Sequence, residues 1–264
     1  MEILGYAASI LMGLSLGLIG GGGSILTVPI LVYLFGVGPV ESTAYSLFVV
    51  GLTSLAGTFT HFRNGNVHLK TALIFGIPSI LSVYAVRKFV VPIIPDPFFS
   101  LGTFTVTKPL FVMVLFAVLM LLASISMIRK PKKTAPESGE VKYNYPLIFV
   151  EGLLVGGVTG LVGAGGGFLI IPALVLLAGL PMKQAVGTSL LIIGLKSLIG
   201  FTGDLGSGLS VDYTFMLIFS AFAMVGIVLG SMLSKYISNE KLKPIFGWFV
   251  LVMGLYILGK ELLF

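Results

Sequence analysis

The sequence predicts an all-α polytopic membrane protein built from two homologous repeats, and three observations support this fold class. Of the 264 residues, 56% are hydrophobic and only 10% are charged, whereas soluble domains carry about 25% charged residues. Apolar runs long enough for membrane helices recur along the whole chain. A glycine-rich segment, together with the apolar sequence that follows it, occurs twice with an offset of 143 residues.

Composition also excludes several classes of function. The chain has no cysteine, so disulfides, zinc–thiolate sites and cysteine nucleophiles are ruled out. We attribute the net charge of +6 to the Lys and Arg residues of cytoplasmic loops rather than to nucleic-acid binding. The two His and the few carboxylates suggest neither a metal-ligand cluster nor a catalytic dyad, so we expect no enzyme activity and no cofactor.

The first half begins with an interrupted apolar segment. Ile3–Ile19 is marginal for a crossing, and it leads into the first glycine segment, Gly20-Gly21-Gly22-Gly23-Ser24. The apolar run Ser24–Phe35 that follows would be about 18 Å long as a helix. This length is too short for a hydrocarbon core of about 30 Å. Three further runs suit full crossings, at Thr43–Phe62, Thr71–Val91 and Leu110–Ile128.

The second half repeats this order after a basic, proline-containing linker. Leu147–Val162 leads into the second glycine segment, Gly163-Ala164-Gly165-Gly166-Gly167, and then into the short run Phe168–Leu180. Full spans follow at Ala185–Gly203, Tyr213–Tyr236 and Ile245–Leu258. Residues 17–57 align on 160–200 without gaps, with 18 identities in 41 positions, which indicates a duplication. We therefore divide the chain into a first repeat (1–128), a cytoplasmic linker (129–144) and a second repeat (145–264).

Charge predicts how the repeats are oriented. With the linker inside, counting spans places Arg63 and Lys183 in the cytoplasm, and Glu41 and Asp212 outside. Arg87 also falls outside, against the positive-inside rule. Each half then holds a glycine-broken pair of half-helices plus three full spans, an odd number of net crossings, so the repeats would be inverted. If each broken pair were instead one tilted span, the repeats would be parallel and the Asp212 loop would lie inside.

The glycine segments suggest an anion site. A helix that stops inside a membrane leaves backbone groups that lipid cannot satisfy, and a helix that starts there presents free N–H groups and the positive end of its dipole. The alternative is that the glycines only allow close helix packing. The predicted substrate-binding residues are those of the two glycine segments: Gly20, Gly21, Gly22, Gly23, Ser24, Gly163, Gly165, Gly166 and Gly167.

Side chains in the following spans extend this predicted site. Ser46 and Ser189 occupy equivalent repeat positions beside Thr188, and their hydroxyls could donate to an anion, although serine and threonine also commonly satisfy helix carbonyls. Lys196 lies well inside Ala185–Gly203, where a charge costs at least about 2.5–3.5 kcal/mol. We interpret it as an anion contact or coupling group; the alternatives are snorkelling and pairing with a carboxylate.

These motifs resemble the TauE/SafE family of sulfite exporters. The resemblance is carried by GLIGGGGSILTVPIL in the first repeat and GLVGAGGGFLIIPALVLLAGLPMKQAVGTSLL in the second. It covers essentially the whole chain, but the first repeat has Ser42-Thr43-Ala44-Tyr45-Ser46 where the second has the closer match, Ala185-Val186-Gly187-Thr188-Ser189. The resemblance implies a multi-pass transporter of the cytoplasmic membrane that moves sulfur-containing anions out of the cell.

The combined prediction is a secondary transporter that exports a small sulfur oxyanion, such as sulfite or an organosulfonate, held near the membrane midplane. The alternatives are an anion channel of the same fold and an importer of a related anion such as thiosulfate. The expected partners are the small anion and the lipid bilayer, without nucleic acid. Proton coupling and a homodimer are left open.

Overall fold

The protein is a bundle of helices with one small β-hairpin. The structure, a computed structural model, describes residues 2–101, 104–128, 145–176, 178–205, 211–234 and 239–263; the predicted linker, 129–144, lies outside these residues. The first half contains α1 (Glu2–Ile19), a 3-10 segment (Gly21–Leu26), α2 (Thr27–Phe35), α3 (Pro39–Arg63), α4 (Leu69–Ala85), a π-helical segment (Val86–Val90), α5 (Val91–Ile93), β1 (Phe99–Leu101), β2 (Phe104–Val106) and α6 (Lys108–Ile128). The second half contains α7 (Tyr145–Val162), α8 (Gly167–Leu176), α9 (Met182–Asp204), α10 (Tyr213–Leu233) and α11 (Asn239–Leu263).

Six of the described helical stretches are long and apolar enough to cross a membrane. They coincide with the six predicted full spans: Pro39–Arg63, Leu69–Ile93, Lys108–Ile128, Met182–Asp204, Tyr213–Leu233 and Pro244–Leu263. The outer surface of the bundle exposes large apolar side chains, among them Leu154, Val225 and Val252. Lipid, rather than water, is the solvent that such a surface fits. The chain is therefore a multi-pass membrane protein.

A small β-hairpin is a local addition to the predicted all-α fold. Strands β1 and β2 pair antiparallel between α5 and α6, with Phe99 opposite Val106. Each strand has only three residues, too few to produce a recognisable alternating pattern, so the sequence did not predict them. The hairpin lies in a connection between two spans and leaves the helical architecture unchanged.

Glycine contacts define the direction of the central helices α3 and α9. Gly51 packs against Leu198, and Gly194 packs against Leu55. Residue numbers rise along one helix as they fall along the other, so the two helices run antiparallel. A side chain at either glycine would meet the opposing leucine within 2.7 Å. The glycines therefore allow the two helices to approach closely where they cross.

Glycine contacts also show the directions of the surrounding helices. Gly13 and Gly17 of α1 pack in turn against Ala223 and Ile227 of α10, so α1 and α10 are parallel. Contacts of Gly152, Gly156 and Gly160 with Pro78, Ser79 and Val86 show that α7 is parallel to α4. Contacts of Gly247 and Gly254 with Met127 and Met120 show that α6 and α11 are antiparallel.

Two polar contacts define the ends of the bundle. At one end, which we call the Glu41 end, the backbone N–H of Asp212 at the start of α10 donates to the Tyr45 hydroxyl near the start of α3, at 2.8 Å. At the other, the Lys183 end, the backbone N–H of His68 donates to Thr188 Oγ1 near the start of α9, at 2.9 Å. Glu41 therefore lies at the same end as Asp212, and Arg63 at the same end as Lys183, as the span count predicted.

Candidate functional site

The two glycine segments lie side by side at the centre of the bundle. The segment after α1 and the segment after α7 meet where Gly21 touches Gly167, backbone against backbone. A methyl group at Gly165 would lie 3.1 Å from Ser24 Cβ, so the contact continues along both segments. Each segment follows a helix end, at Ile19 and Val162. The structure thus brings together Gly21, Ser24, Gly165 and Gly167 from opposite halves of the chain.

Gly166 forms the start of α8. Its φ of +74° lies in the left-handed region that glycine adopts without steric cost. Its carbonyl oxygen accepts hydrogen bonds from the N–H groups of Leu169 and Ile170, at 2.9 and 3.0 Å. The N–H groups of Gly167 and Phe168 therefore precede the first helical hydrogen bonds, and the positive end of the α8 dipole lies here.

Lys196 reaches this helix start from α9. Its side chain is fully buried, and its Nζ donates a hydrogen bond to Thr159 Oγ1 of α7 at 2.8 Å. A methyl group at Gly166 would lie 2.9 Å from the same Nζ. The ammonium group therefore lies in the angle between the end of α7 and the start of α8.

The positive charge of Lys196 has no acidic partner in the part of the chain that the structure describes. The Arg87–Asp204 ion pair lies two helical turns away along α9. Lys196 therefore does not pair with a described carboxylate, and because its side chain is fully buried it does not snorkel to the membrane surface. The ammonium group and the α8 N-terminus add potentials of the same sign at one buried point. This arrangement favours a bound anion.

Thr159 is a residue that sequence reasoning missed. It lies four residues before Gly163, and its repeat counterpart is Leu16, just as the counterpart of Lys196 is Thr53. The second repeat therefore has a hydroxyl where the first has Leu16, and an amine where the first has Thr53. The two residues of the second repeat contact each other. This shared asymmetry was the signal that could have found Thr159.

The predicted hydroxyl residues have different environments. The Ser189 hydroxyl donates to the Val186 carbonyl at 2.8 Å, and the Ser24 hydroxyl donates to the Gly21 carbonyl at 2.7 Å. Thr188 accepts the His68 N–H at the Lys183 end. The Ser46 hydroxyl is fully buried and has no hydrogen-bond partner. The donor capacity of the Ser46 hydroxyl is therefore unused.

The remaining predicted glycines pack against apolar groups or backbone. Gly20, with a φ of +75°, lies against Ile171 and Val186 near the start of α9. Gly163 lies against Thr43 near the start of α3. Gly22 lies near Met127 and Phe246, and Gly23 lies against Leu16 and Ser15. These four glycines hold the two turns in place rather than surrounding Lys196.

One cavity opens at the Glu41 end of the bundle, and a small one borders the central glycine contact. An open cleft of about 560 Å³ at the Glu41 end is lined by Glu41, Tyr45 and Asp212 together with apolar side chains. A cavity of about 20 Å³, lined in part by Gly22, Gly167 and Pro172, has room for about one water molecule. Within the described ranges, no group of three or more His, Asp or Glu residues could hold a metal ion.

Comparison with known proteins assigns the chain to a family. The family model described as "Sulfite exporter TauE/SafE" matches residues 5–257. A "Probable membrane transporter protein" of Xylella fastidiosa (strain 9a5c) is 31% identical over 257 residues, covering 95% of this chain and 92% of the relative. "Probable membrane transporter protein YunE" of Bacillus subtilis (strain 168) is 28% identical over 274 residues, covering 95% of this chain and 96% of the relative. No solved structure matches.

Proposed function

The chain belongs to the sulfite exporter TauE/SafE family of membrane transporters, and on this premise we propose that it is a secondary transporter exporting a small sulfur oxyanion, sulfite or an organosulfonate. The anion binds between Lys196, Thr159 and the start of α8. One observation carries this proposal: a buried ammonium group lies beside a helix N-terminus without an acidic partner in the described residues. An ionisable residue inside a membrane is costly and marks a functional site by default.

The directions of the helices support two inverted repeats. The repeat counterparts α3 and α9 run antiparallel, and so do the counterparts α6 and α11. Parallel repeats would leave each helix and its counterpart pointing the same way. Helix α1 packs against α10. Their counterparts in the other half, α7 and α4, also pack against each other, so the two halves make equivalent contacts. We propose that the glycine segments are paired helix breaks at the interface between these repeats, where inverted-repeat transporters bind substrate.

The burial of Lys196 favours a carrier over a channel. Its side chain has no solvent exposure, so an anion reaches it only when the surrounding helices move. A carrier requires such motion in every cycle, whereas an open channel has a continuous wet path. Export also needs no coupling ion, because an anion leaving a negative-inside cell gains about 2.3 kcal/mol per charge per 100 mV.

We expect the purified protein in proteoliposomes to transport sulfite with saturable kinetics and to show counterflow of labelled sulfite against unlabelled sulfite. A panel of thiosulfate, sulfoacetate, sulfate and carboxylates identifies the preferred anion. Uncoupled flux should follow the membrane potential, because the anion carries charge. Single-channel currents would show a channel instead, and flux of none of the sulfur anions would refute the proposed substrate class.

The proposed orientation is testable because the chain has no native cysteine. We expect Glu41→Cys to react with a membrane-impermeant maleimide in intact cells, because this residue lines the open cleft at the Glu41 end. We expect Lys183→Cys, which is exposed at the opposite end, to react only after permeabilisation. Labelling of both variants from the same side would contradict the topology, and the reverse pattern would invert it.

A further inference from the structure

A second buried cation lies at the Glu41 end of the bundle. Arg87 is 1% exposed, and its Nη1 lies 3.5 Å from Asp204 Oδ1. Arg87 Nε and Nη2 are buried without hydrogen-bond partners. Hydrogen bonds between a guanidinium and a carboxylate are usually about 2.7–2.9 Å and frequently bidentate. The pair therefore uses one of the Arg87 nitrogens, through a long contact.

This pair explains why a positive residue lies on the predicted outer side. Arg87 is not a loop residue in water, which the positive-inside rule describes. It lies in the π-helical segment Val86–Val90, and such segments occur frequently at functional sites. Lys108 lies close enough to interact electrostatically with both Arg87 and Asp204. Asp96 also interacts electrostatically with Lys108, so the positive and negative charges of these four side chains balance.

The Arg87 site is connected to the Lys196 site through three packed helices. Thr159, which accepts the Lys196 hydrogen bond, is followed in α7 by Gly160, where an added methyl group would lie 3.0 Å from Val86 Cγ1. Gly203, next to Asp204, packs against Arg87 Cβ. Lys196 and Asp204 are eight residues apart on α9, which is about 12 Å. Both cations therefore face the interface of α4, α7 and α9.

We propose that Arg87 is a second anion-binding group, on the path between the Lys196 site and the Glu41 end, and that the Asp204 carboxylate occupies it when no substrate anion is there. The inference rests on the proposed anion transport. A sulfite or sulfonate arriving from Lys196 bonds to the unused Nε and Nη2 donors of Arg87. Asp204 then competes with the anion for the guanidinium, and this competition releases the substrate toward the Glu41 end.

A purely structural ion pair makes a different prediction. Removal of one partner of a buried pair leaves an uncompensated charge and destabilises the fold, whereas removal of both is often neutral. A structural pair would change stability without changing anion affinity. If Asp204 instead competes with the anion, removal of its charge would also make the protein bind the anion more tightly.

We expect Asp204→Asn to bind sulfite about tenfold more tightly, within the usual range of coupling between sites, and to release it more slowly. The measurements are sulfite protection against thermal unfolding in detergent and net sulfite efflux from proteoliposomes. Glu41→Gln is the matched control, because it removes another carboxylate at the same end and should change neither quantity. Unchanged or weaker binding in Asp204→Asn would overturn the proposal.

The double variant Arg87→Gln/Asp204→Asn tests the proposal without a buried unpaired charge. We expect it to fold normally but to release sulfite about tenfold more slowly, because the second anion group is lost. Wild-type flux in this variant would overturn the proposal. These results differ from failure of the proposed function, in which the wild-type protein itself transports no sulfur anion.

Discussion

Lys196→Met is expected to abolish anion transport while leaving the fold as stable as the wild type, or more stable. Methionine is an unbranched side chain of similar size, but it lacks the charge that we propose binds the anion. Loss of a buried charged contact costs about 2–5 kcal/mol of binding, which corresponds to a loss of affinity of about 30-fold or more. The buried ammonium has no acidic partner in the described residues, so its removal should relieve a desolvation cost.

This combination of results separates function from structure. Sulfite flux and sulfite-dependent protection against thermal unfolding should both fall in Lys196→Met, while the unfolding temperature without ligand should hold or rise. Thr159→Val, which removes the hydroxyl that Lys196 donates to, should weaken binding less, because the charge remains. Thr53→Val at the equivalent position of the first repeat is the control and should change little. Full transport by Lys196→Met would exclude Lys196 from the site.

The membrane architecture could be predicted from the sequence because it depends on local properties. An apolar run of about 20 residues must be a helix in lipid, since no other segment satisfies its own backbone there. The six full spans were predicted from this constraint, and the described helices confirm them. Lys196 was recognised for the same reason, because a charge within such a run is conspicuous whatever its tertiary contacts are.

The partners of the charged residues could not be predicted, because they depend on contacts between distant segments. Thr159 lies 37 residues from Lys196, and Asp204 lies 117 residues from Arg87. Counting charges along the chain made Arg87 an exception to the positive-inside rule. Its packing against the end of α9 shows a buried ion pair with Asp204 instead. Comparison of the two halves offers one clue, because both Lys196 and Thr159 differ from the residues at the equivalent positions of the first half.

Gly21→Ala and Gly167→Ala should each disrupt the central contact between the two halves. The new methyl group would overlap backbone atoms of the opposing glycine segment, and backbone cannot rotate away as a flexible side chain can. Overpacking of this kind costs about 1–3 kcal/mol or more. We expect a lower unfolding temperature in detergent and loss of sulfite flux in both variants. The double variant should not show the sum of the two effects, because both methyl groups disturb the same contact.

Gly259→Ala is the matched control for these variants. Gly259 is also a helical glycine, but a methyl group there would meet nothing within 4 Å, so the exchange should be neutral or stabilise α11 by about 0.5–1 kcal/mol. If the central glycines serve only to let the two segments pack closely, stability and flux should fall together in Gly21→Ala. If their close approach also positions the start of α8 beside Lys196, the remaining folded protein should bind sulfite more weakly as well. Wild-type flux and stability in Gly21→Ala would show that the two glycine segments do not need to touch.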